Sequence, residues 1–355
     1  MRSPIMNTYK QNVKDTNIQT LRQLLDRMPG FCKDFMRGIS NSTEIRTQVA
    51  YCRDIYHFLN YVKAHNPEFK DIDIRDIPFE LLERLSPADI DEYLEFLSLY
   101  EIDGVVYSNE NASKARKLSS LSKLYDFYIK RQQLKNNPIS AIERPKINDK
   151  AIIALSPEQI IDLIKYVSNP VNLTERQQKF HERTYVRDAA ILTLFLGTGI
   201  RVSELVGLDV DDIDFTLNSI RVVRKGGREA FVYFGDAVAS ALSAYIGPER
   251  EKLLKGKTDD SPALFLSLRG TRLTVRSVEN LVKKYSSMLE TNKKITPHKL
   301  RSTFGTEIYS KTGDIYLTAE LLGHRDINTT KKHYASMDQD KLHSVVNLIE
   351  LEADE

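Results

Sequence analysis

Apolar positions recur at helical spacing along most of the chain. Near the start, "IQTLRQLLDRMPGFCKDFMRGI" carries an amphipathic stripe, and Pro29 is predicted to kink or break it. "STEIRTQVAYCRDIYHFLNYVKAH" continues the helical period and opens on a Ser42-Thr43 cap followed by Glu44. In "SPADIDEYLEFLSLY", Ser86 takes the cap, Pro87 the first helical position, and acids fill the first turn. "ASKARKLSSLSKLYDFYIKRQQ" is a fourth, basic helix. No strand pattern interrupts these four segments, so the pattern predicts an all-helical domain of about a hundred residues.

The segment "LKNNPISAIERPKINDKAIIALSPEQI" places two prolines, an Asn pair and several charges between periodic segments and reads as a linker. A second domain begins near Ala151. Its first helix is capped by Ser156-Pro157, a polar insertion runs from Asn169 to Tyr185, and the apolar helix "RDAAILTLFLGTG" follows. "SIRVVRKGGREAFVYFG" alternates on either side of Gly226-Gly227, the pattern of a β-hairpin. Helical period returns in "TVRSVENLVKKYSSML", "TPHKLRSTFGTEIYSKTG", "IYLTAELLG" and "QDKLHSVVNLIE".

Composition changes this picture little. Hydrophobic residues make up 41% and charged residues 28% of 355, an ordinary globular balance. The longest apolar stretch, "AAILTLFLG", is far shorter than the roughly 20 residues a bilayer requires. The N-terminal stretch lacks a secretory pattern, and a cytoplasmic location without membrane contact is expected. Cys32 and Cys52 lack paired spacing and read as packing residues. The seven histidines show no metal-ligand spacing, and no phosphate-binding glycine loop is present, so no cofactor is expected.

Charge distribution matters more than its sum. The formal net charge is only +2. Yet residues 66–110 hold thirteen acidic and three basic residues, whereas residues 111–150 hold ten basic and three acidic. Segments of opposite sign cancel globally while leaving a basic face able to attract a polyanion; a solvated charged helix face is the alternative.

Several local features have both a plain and a chemical reading. Arg201 in "GTGIRVSEL" could simply pair with Glu204 three residues on. Lys225 on the hairpin turn could be solvated, and His298 and Arg301 in "TPHKLR" could be surface polar groups on one helix face. His324 follows Gly323 at a helix end, where it could bond the last carbonyls. The ordered set "TGIRVSEL", "RKGG", "PHKLRST", "LLGH" and a tyrosine shortly after "TT" resembles the tyrosine recombinase (phage integrase) family over residues 151–340. Its Xer-like wording and layout are closest to the single-recombinase XerS type. Lys331, Lys332 and His333 separate Thr330 from Tyr334, one residue more than in the commonest Xer-type pattern.

The resemblance implies a mainly α fold: a helical SAM-like core-binding domain plus a mixed, mostly helical catalytic domain with a small antiparallel β-sheet, together a C-shaped DNA clamp. The expected divisions are an extension (1–40), the core-binding domain (41–140), a linker (141–150), the catalytic domain (151–338) and a tail helix (339–355). It also implies Tyr334 as nucleophile. A phosphodiester passing through a pentavalent state gains negative charge on its oxygens, which preorganised cations stabilise. Arg201 and Arg301 are then the phosphate clamps, His324 a further donor, His298 the proton acceptor for the tyrosine, and Lys225 the general acid. Lys114, Arg116, Lys117 and Lys123 of the basic helix, with Arg272 and Arg276, are the expected DNA contacts.

Expected partners are duplex DNA with inverted half-sites and three further copies of the chain, joined in a homotetramer through the tail, whose apolar positions 342, 345, 346, 348 and 349 need a surface to cover them. Packing of the tail in cis is the alternative, and an accessory activator protein could join. The expected role is chromosome dimer resolution. The other readings are an integrase of a mobile element or phage, a non-catalytic DNA-binding protein, and a relaxing enzyme of type IB topoisomerase kind.

Overall fold

A computed structural model of the chain describes residues 8–102, 104–147, 152–171, 173–224, 227–254, 262–324, 326–328 and 330–331. By its contacts the chain divides into two units, residues 1–149 and 150–355. Both are mainly helical with small antiparallel sheets. Among the described residues no helix is long and apolar enough to cross a membrane.

The first unit contains α1 (Thr8–Leu25), α2 (Gly30–Ile39), α3 (Ile45–His65), a single turn α4 (Leu81–Arg84), α5 (Pro87–Phe96), strands β1 (Tyr100–Ile102) and β2 (Val105–Tyr107), and α6 (Asn111–Lys130). Pro29 does separate α1 from α2, standing as the N-cap residue of the latter. Ser86 caps α5 in a full capping box with Asp89. For α3 the cap residue is Glu44, with no side-chain cap bond, in place of the expected Ser42-Thr43 pair. Helix α3 packs against both α1 and α6 and contributes Cys52, Ile55, Phe58 and Leu59, nearly fully buried, to the core. Tyr125 and Tyr128 of α6 bury their rings and donate to the carbonyls of Leu82 and Phe31 at 3.0 and 2.6 Å, so neither hydroxyl is left unsatisfied. Cys32 and Cys52 are free and buried. Burial pushes the Cys52 thiol up to about 12 and that of Cys32 well above its ordinary value, which makes both unreactive packing groups.

The expectation of a strand-free first unit is corrected by the β1–β2 hairpin, registered Tyr100 to Tyr107 and Ile102 to Val105. Its signal was present in "EIDGVVY": an Asp-Gly pair between β-branched and aromatic residues is a hairpin turn sequence. Gly104 adopts φ +75° there, a conformation that costs glycine nothing.

The second unit contains α7 (Pro157–Ser168), α8 (Glu175–Glu182), α9 (Tyr185–Thr198), α10 (Val202–Leu205), β3 (Ile213–Asp214), β4 (Ser219–Val223), β5 (Glu229–Tyr233), α11 (Asp236–Ala244), α12 (Arg250–Leu254), α13 (Val275–Ser286), α14 (Pro297–Thr312) and α15 (Ile315–Leu322). Helix α9 is apolar on nearly every face, and α7, α11 and α14 pack around it. The three strands form an antiparallel sheet in the order β3-β4-β5. The expected hairpin is β4–β5, and Ser156 caps α7 in a box with Gln159.

The polar insertion, which suggested no element from its pattern, holds α8, started by a Thr174–Gln177 capping box. It is tied inward by a buried polar network. Arg187 pairs with Asp188 at 2.6 Å and donates to the Leu266 carbonyl, the Tyr285 hydroxyl donates to Asp188 at 2.9 Å, and His181 Nδ1 lies 3.1 Å from that hydroxyl. Each charge has a partner, as a buried ion pair requires.

Candidate active site

The site grows from the end of α9. That helix stops at Gly199, φ +61°, and the chain turns so that Arg201 becomes the N-cap residue of α10. The short helix is closed by Glu204: its carboxylate accepts from the Arg201 backbone N–H at 3.0 Å and from Nη1 at 2.9 Å. The plain i, i+3 pairing is therefore real, but it leaves a second guanidinium nitrogen for another task. Nη2 donates to the carbonyl of Gly323, 3.2 Å away. The Arg201 side chain stays 37% exposed, against 6% for Glu204, so the buried carboxylate aims an accessible cation.

Thr296 caps α14, and the first turns of that helix carry both predicted residues. Arg301 is buried, with Nη1 donating to the Gly199 carbonyl and Nη2 to the Leu322 carbonyl. His298, one turn earlier, is exposed. Helix α15 then ends at Gly323, φ +59°. His324 follows, its backbone N–H on the Ala319 carbonyl at 2.9 Å and its Nδ1 2.8 Å from the hydroxyl of buried Thr330.

Two arginines separated by a hundred positions thus converge on consecutive carbonyls, Leu322 and Gly323, at the C-terminal end of α15. The partial negative charge of a helix C-terminus favours cations there, and carbonyl acceptors hold the planar forks before any ligand arrives. Such a preset cationic site suits an oxyanion able to accept several N–H bonds. An open cleft of about 430 Å³ between α8 and α13 is lined by none of these residues. Among the described residues no group of three or more His, Cys, Asp or Glu is placed to hold a metal ion.

Of the expected set, Arg201, Arg301 and His324 are brought together, and His298 lies one helical turn from Arg301. Lys225, Tyr334 and the tail lie outside the described residues. Two residues absent from the expected set matter: Glu204, which orients Arg201, and Arg224, whose guanidinium lies against Gly323. Arg224 had a signal in "RKGG", as the arginine beside the expected lysine.

The expected DNA contacts divide by burial. Lys123 is exposed on α6. Arg276 is exposed and pairs with Glu279 at 3.4 Å. Lys114 donates to Ser98 at 2.6 Å. Arg116 is half-exposed and anchored by the buried carboxylate of Asp54, which also accepts from Ser120 at 2.7 Å. Two of the expected contacts have partners inside the fold. Lys117 is buried and donates to Asn109 at 3.1 Å, with burial lowering its pKa, so its ammonium is engaged inside the fold. Arg272 is spent on the carbonyls of Val206 and Leu208, at 3.0 and 2.7 Å, and on the Asp209 carboxylate, which makes it a brace between loops.

Residues 139–341 match the phage integrase family. The chain is 32% identical over 333 residues to the tyrosine recombinase XerC of Caldanaerobacter subterraneus subsp. tengcongensis, covering 90% of this chain and 87% of the relative. It is 30% identical over 295 residues to the tyrosine recombinase XerD of Oceanobacillus iheyensis, covering 83% and 88%. In fold it is similar to the Tn1549 transposon integrase in complex with a circular intermediate DNA, with a TM-score of 0.59 at 18% identity over 88% of this chain and 99% of that one. The XerH site-specific recombinase bound to a palindromic difH substrate is similar at a TM-score of 0.58 and 18% identity, over 85% and 78%.

Proposed function

Since the chain belongs to the phage integrase family and is a site-specific recombinase of the Xer-like tyrosine type, we propose that it cleaves and rejoins duplex DNA through a covalent 3′-phosphotyrosine on Tyr334. The observation that carries this reading is the convergence of Arg201 and Arg301 on the Leu322 and Gly323 carbonyls, beside His324. Their guanidinium forks would grip the non-bridging oxygens of the reacting phosphodiester, and His324 would donate to the same group.

Tyrosine, with a reference pKa of about 10, needs its proton removed as it attacks. His298 takes that role. The new bond joins the Tyr334 oxygen to phosphorus, the bond from phosphorus to the 5′ oxygen breaks, and Lys225 delivers a proton to the departing oxygen. The phosphotyrosine retains the bond energy, so attack by another strand's 5′-hydroxyl reverses the step and completes exchange. Exposed Lys123 and Arg276, with Arg116 and Lys114, would grip backbone phosphates and position the duplex.

We assign the biological role to chromosome dimer resolution, because the relatives it resembles over most of their length are named XerC and XerD. The fold it shares with a transposon integrase favours integration or excision of a mobile element as the second reading. The divisions 1–40, 41–140, 141–150, 151–338 and 339–355 belong to the same proposal, with the two units gripping DNA as a clamp and the tail joining four copies on inverted half-sites.

The test is covalent trapping. The chain and its Tyr334→Phe variant are incubated with nicked suicide duplexes taken from the chromosome terminus region and from the gene's own flanks. Adducts that survive SDS with the natural chain and vanish with the variant are expected on the terminus fragments. Trapping on the flanking fragments alone would overturn the resolution role, and binding without adducts on every fragment would overturn the catalytic assignment.

A further inference from the structure

We propose that Arg224 is a further phosphate-binding residue of this site, contacting the DNA backbone beside Arg201. The inference rests on the reading of the site as one that holds a DNA phosphate, and adds to it a residue outside the expected set. The backbone of Arg224 is fixed at the end of β4, where its N–H bonds the Arg228 carbonyl at 2.8 Å and its carbonyl accepts from Gly227 at 3.2 Å. From there the side chain reaches the end of α15. A Cβ on Gly323 would lie 2.0 Å from Arg224 Nη1 and 2.1 Å from Cζ, so the guanidinium rests against the bare Cα of that glycine. Arg201 bonds the carbonyl of the same residue. The two arginines flank Gly323, one on its Cα and the other on its oxygen.

Two features point from this contact to an anionic ligand. The first is an unmet donor: Arg224 Nε is buried without a hydrogen-bond acceptor among the described residues, whereas the forks of Arg201 and Arg301 have theirs. A buried N–H without a partner is unfavourable, and a phosphate oxygen supplies the acceptor. The second is charge. Arg201, Arg224 and Arg301 gather at Leu322 and Gly323, with Glu204 bonded to the first of them. Three guanidinium groups at one helix end concentrate positive charge that the partial negative end of α15 offsets only in part. Neighbouring cations repel one another, and an anion bound among them relieves that repulsion.

The experiment needs no knowledge of the target sequence. The full chain and its Arg224→Gln and Arg224→Lys variants are titrated by fluorescence anisotropy onto a duplex of arbitrary sequence through a series of KCl concentrations, and each protein is also melted without DNA. Loss of one phosphate contact should make the slope of log K against log salt shallower by about 0.9. That change is expected for Arg224→Gln, while Arg224→Lys should keep the slope of the natural chain. If Arg224→Gln lowers the melting temperature but retains the slope, the residue only packs on Gly323 and the inference is overturned. If the natural chain itself shows no salt-dependent binding, the DNA reading of the site falls as well, which separates the two failures.

Discussion

Arg201 donates through Nη2 to the carbonyl of Gly323, a residue 122 positions later, while Nη1 of the same fork is held by Glu204. One side chain thus joins the turn after α9 to the turn after α15. The neighbouring carbonyl, Leu322, is taken by Arg301. The two forks are held in place by the fold's own carbonyls, and they contribute unequally to stability.

That inequality is testable. Arg301 is buried and satisfies two buried carbonyls, so Arg301→Ala should cost about 2–4 kcal/mol of folding stability by stranding both acceptors. Arg201 is more exposed but pairs with the buried Glu204 carboxylate, which keeps a backbone N–H donor when the side chain is lost, so Arg201→Ala should cost about 1–2 kcal/mol. Both should abolish adducts in the trapping assay. Chemical denaturation of the two variants measures the difference; equal losses would show that Arg201 is as structural as Arg301.

The anchor beneath the basic helix gives a second outcome. Arg116→Ala leaves the buried Asp54 carboxylate without its paired guanidinium, with the Ser120 hydroxyl still donating to it. A loss of about 2 kcal/mol is expected, discounted because Arg116 is half-exposed. Adding Asp54→Asn to that variant should recover part of the loss. A double-mutant cycle in urea reads the coupling, and additive losses would mean the pair contributes nothing.

Lys117 and Lys123 stand about 1.7 helical turns apart and should behave oppositely. Exposed Lys123, changed to Ala, should leave stability within about 0.5 kcal/mol and make the salt slope of duplex binding shallower. Buried Lys117, changed to Ala, strips a donor from Asn109 and should lower the melting temperature without altering that slope. Binding and melting curves for both variants decide the matter.

Acid should weaken the fold through half-buried His57 and buried His181. Burial lowers the pKa of His57 and of His181 below 6.5, assisted by Lys117 and Lys284 respectively. Above 6.5 each is neutral in both folded and unfolded chains, and its contribution to stability is complete. As pH falls below that value the unfolded chain takes up protons first, so stability declines until the lowered folded pKa values are passed. Urea denaturation from about pH 7.5 down to about pH 5 should show that decline, and His57→Gln should flatten it. An unchanged slope in the variant would remove His57 from the account.

The sequence by itself determined the helical architecture, because period, caps and breakers act over a few residues. Ser86, Ser156 and Thr296 cap helices as their local context demands, and Pro29 ends one. The ordered Arg, His-x-x-Arg and Gly-His motifs likewise identified the family, since motif order is a property of the chain. The β1–β2 hairpin had a local signal too, the Asp-Gly pair of "EIDGVVY", which the helical period around it hid. Tertiary structure alone decided which cations are available. Lys117 and Lys123 stand in the same basic helix, and nothing in their neighbours along the chain says that one turns inward to Asn109. Arg272 looked like a surface cation until the carbonyls of Val206 and Leu208 were brought to it. Arg224 gained its place because the end of β4 and the end of α15, a hundred residues apart, meet at a glycine with no side chain to keep the guanidinium away. Caps and periods are local; burial and charge pairing depend on what the fold brings near.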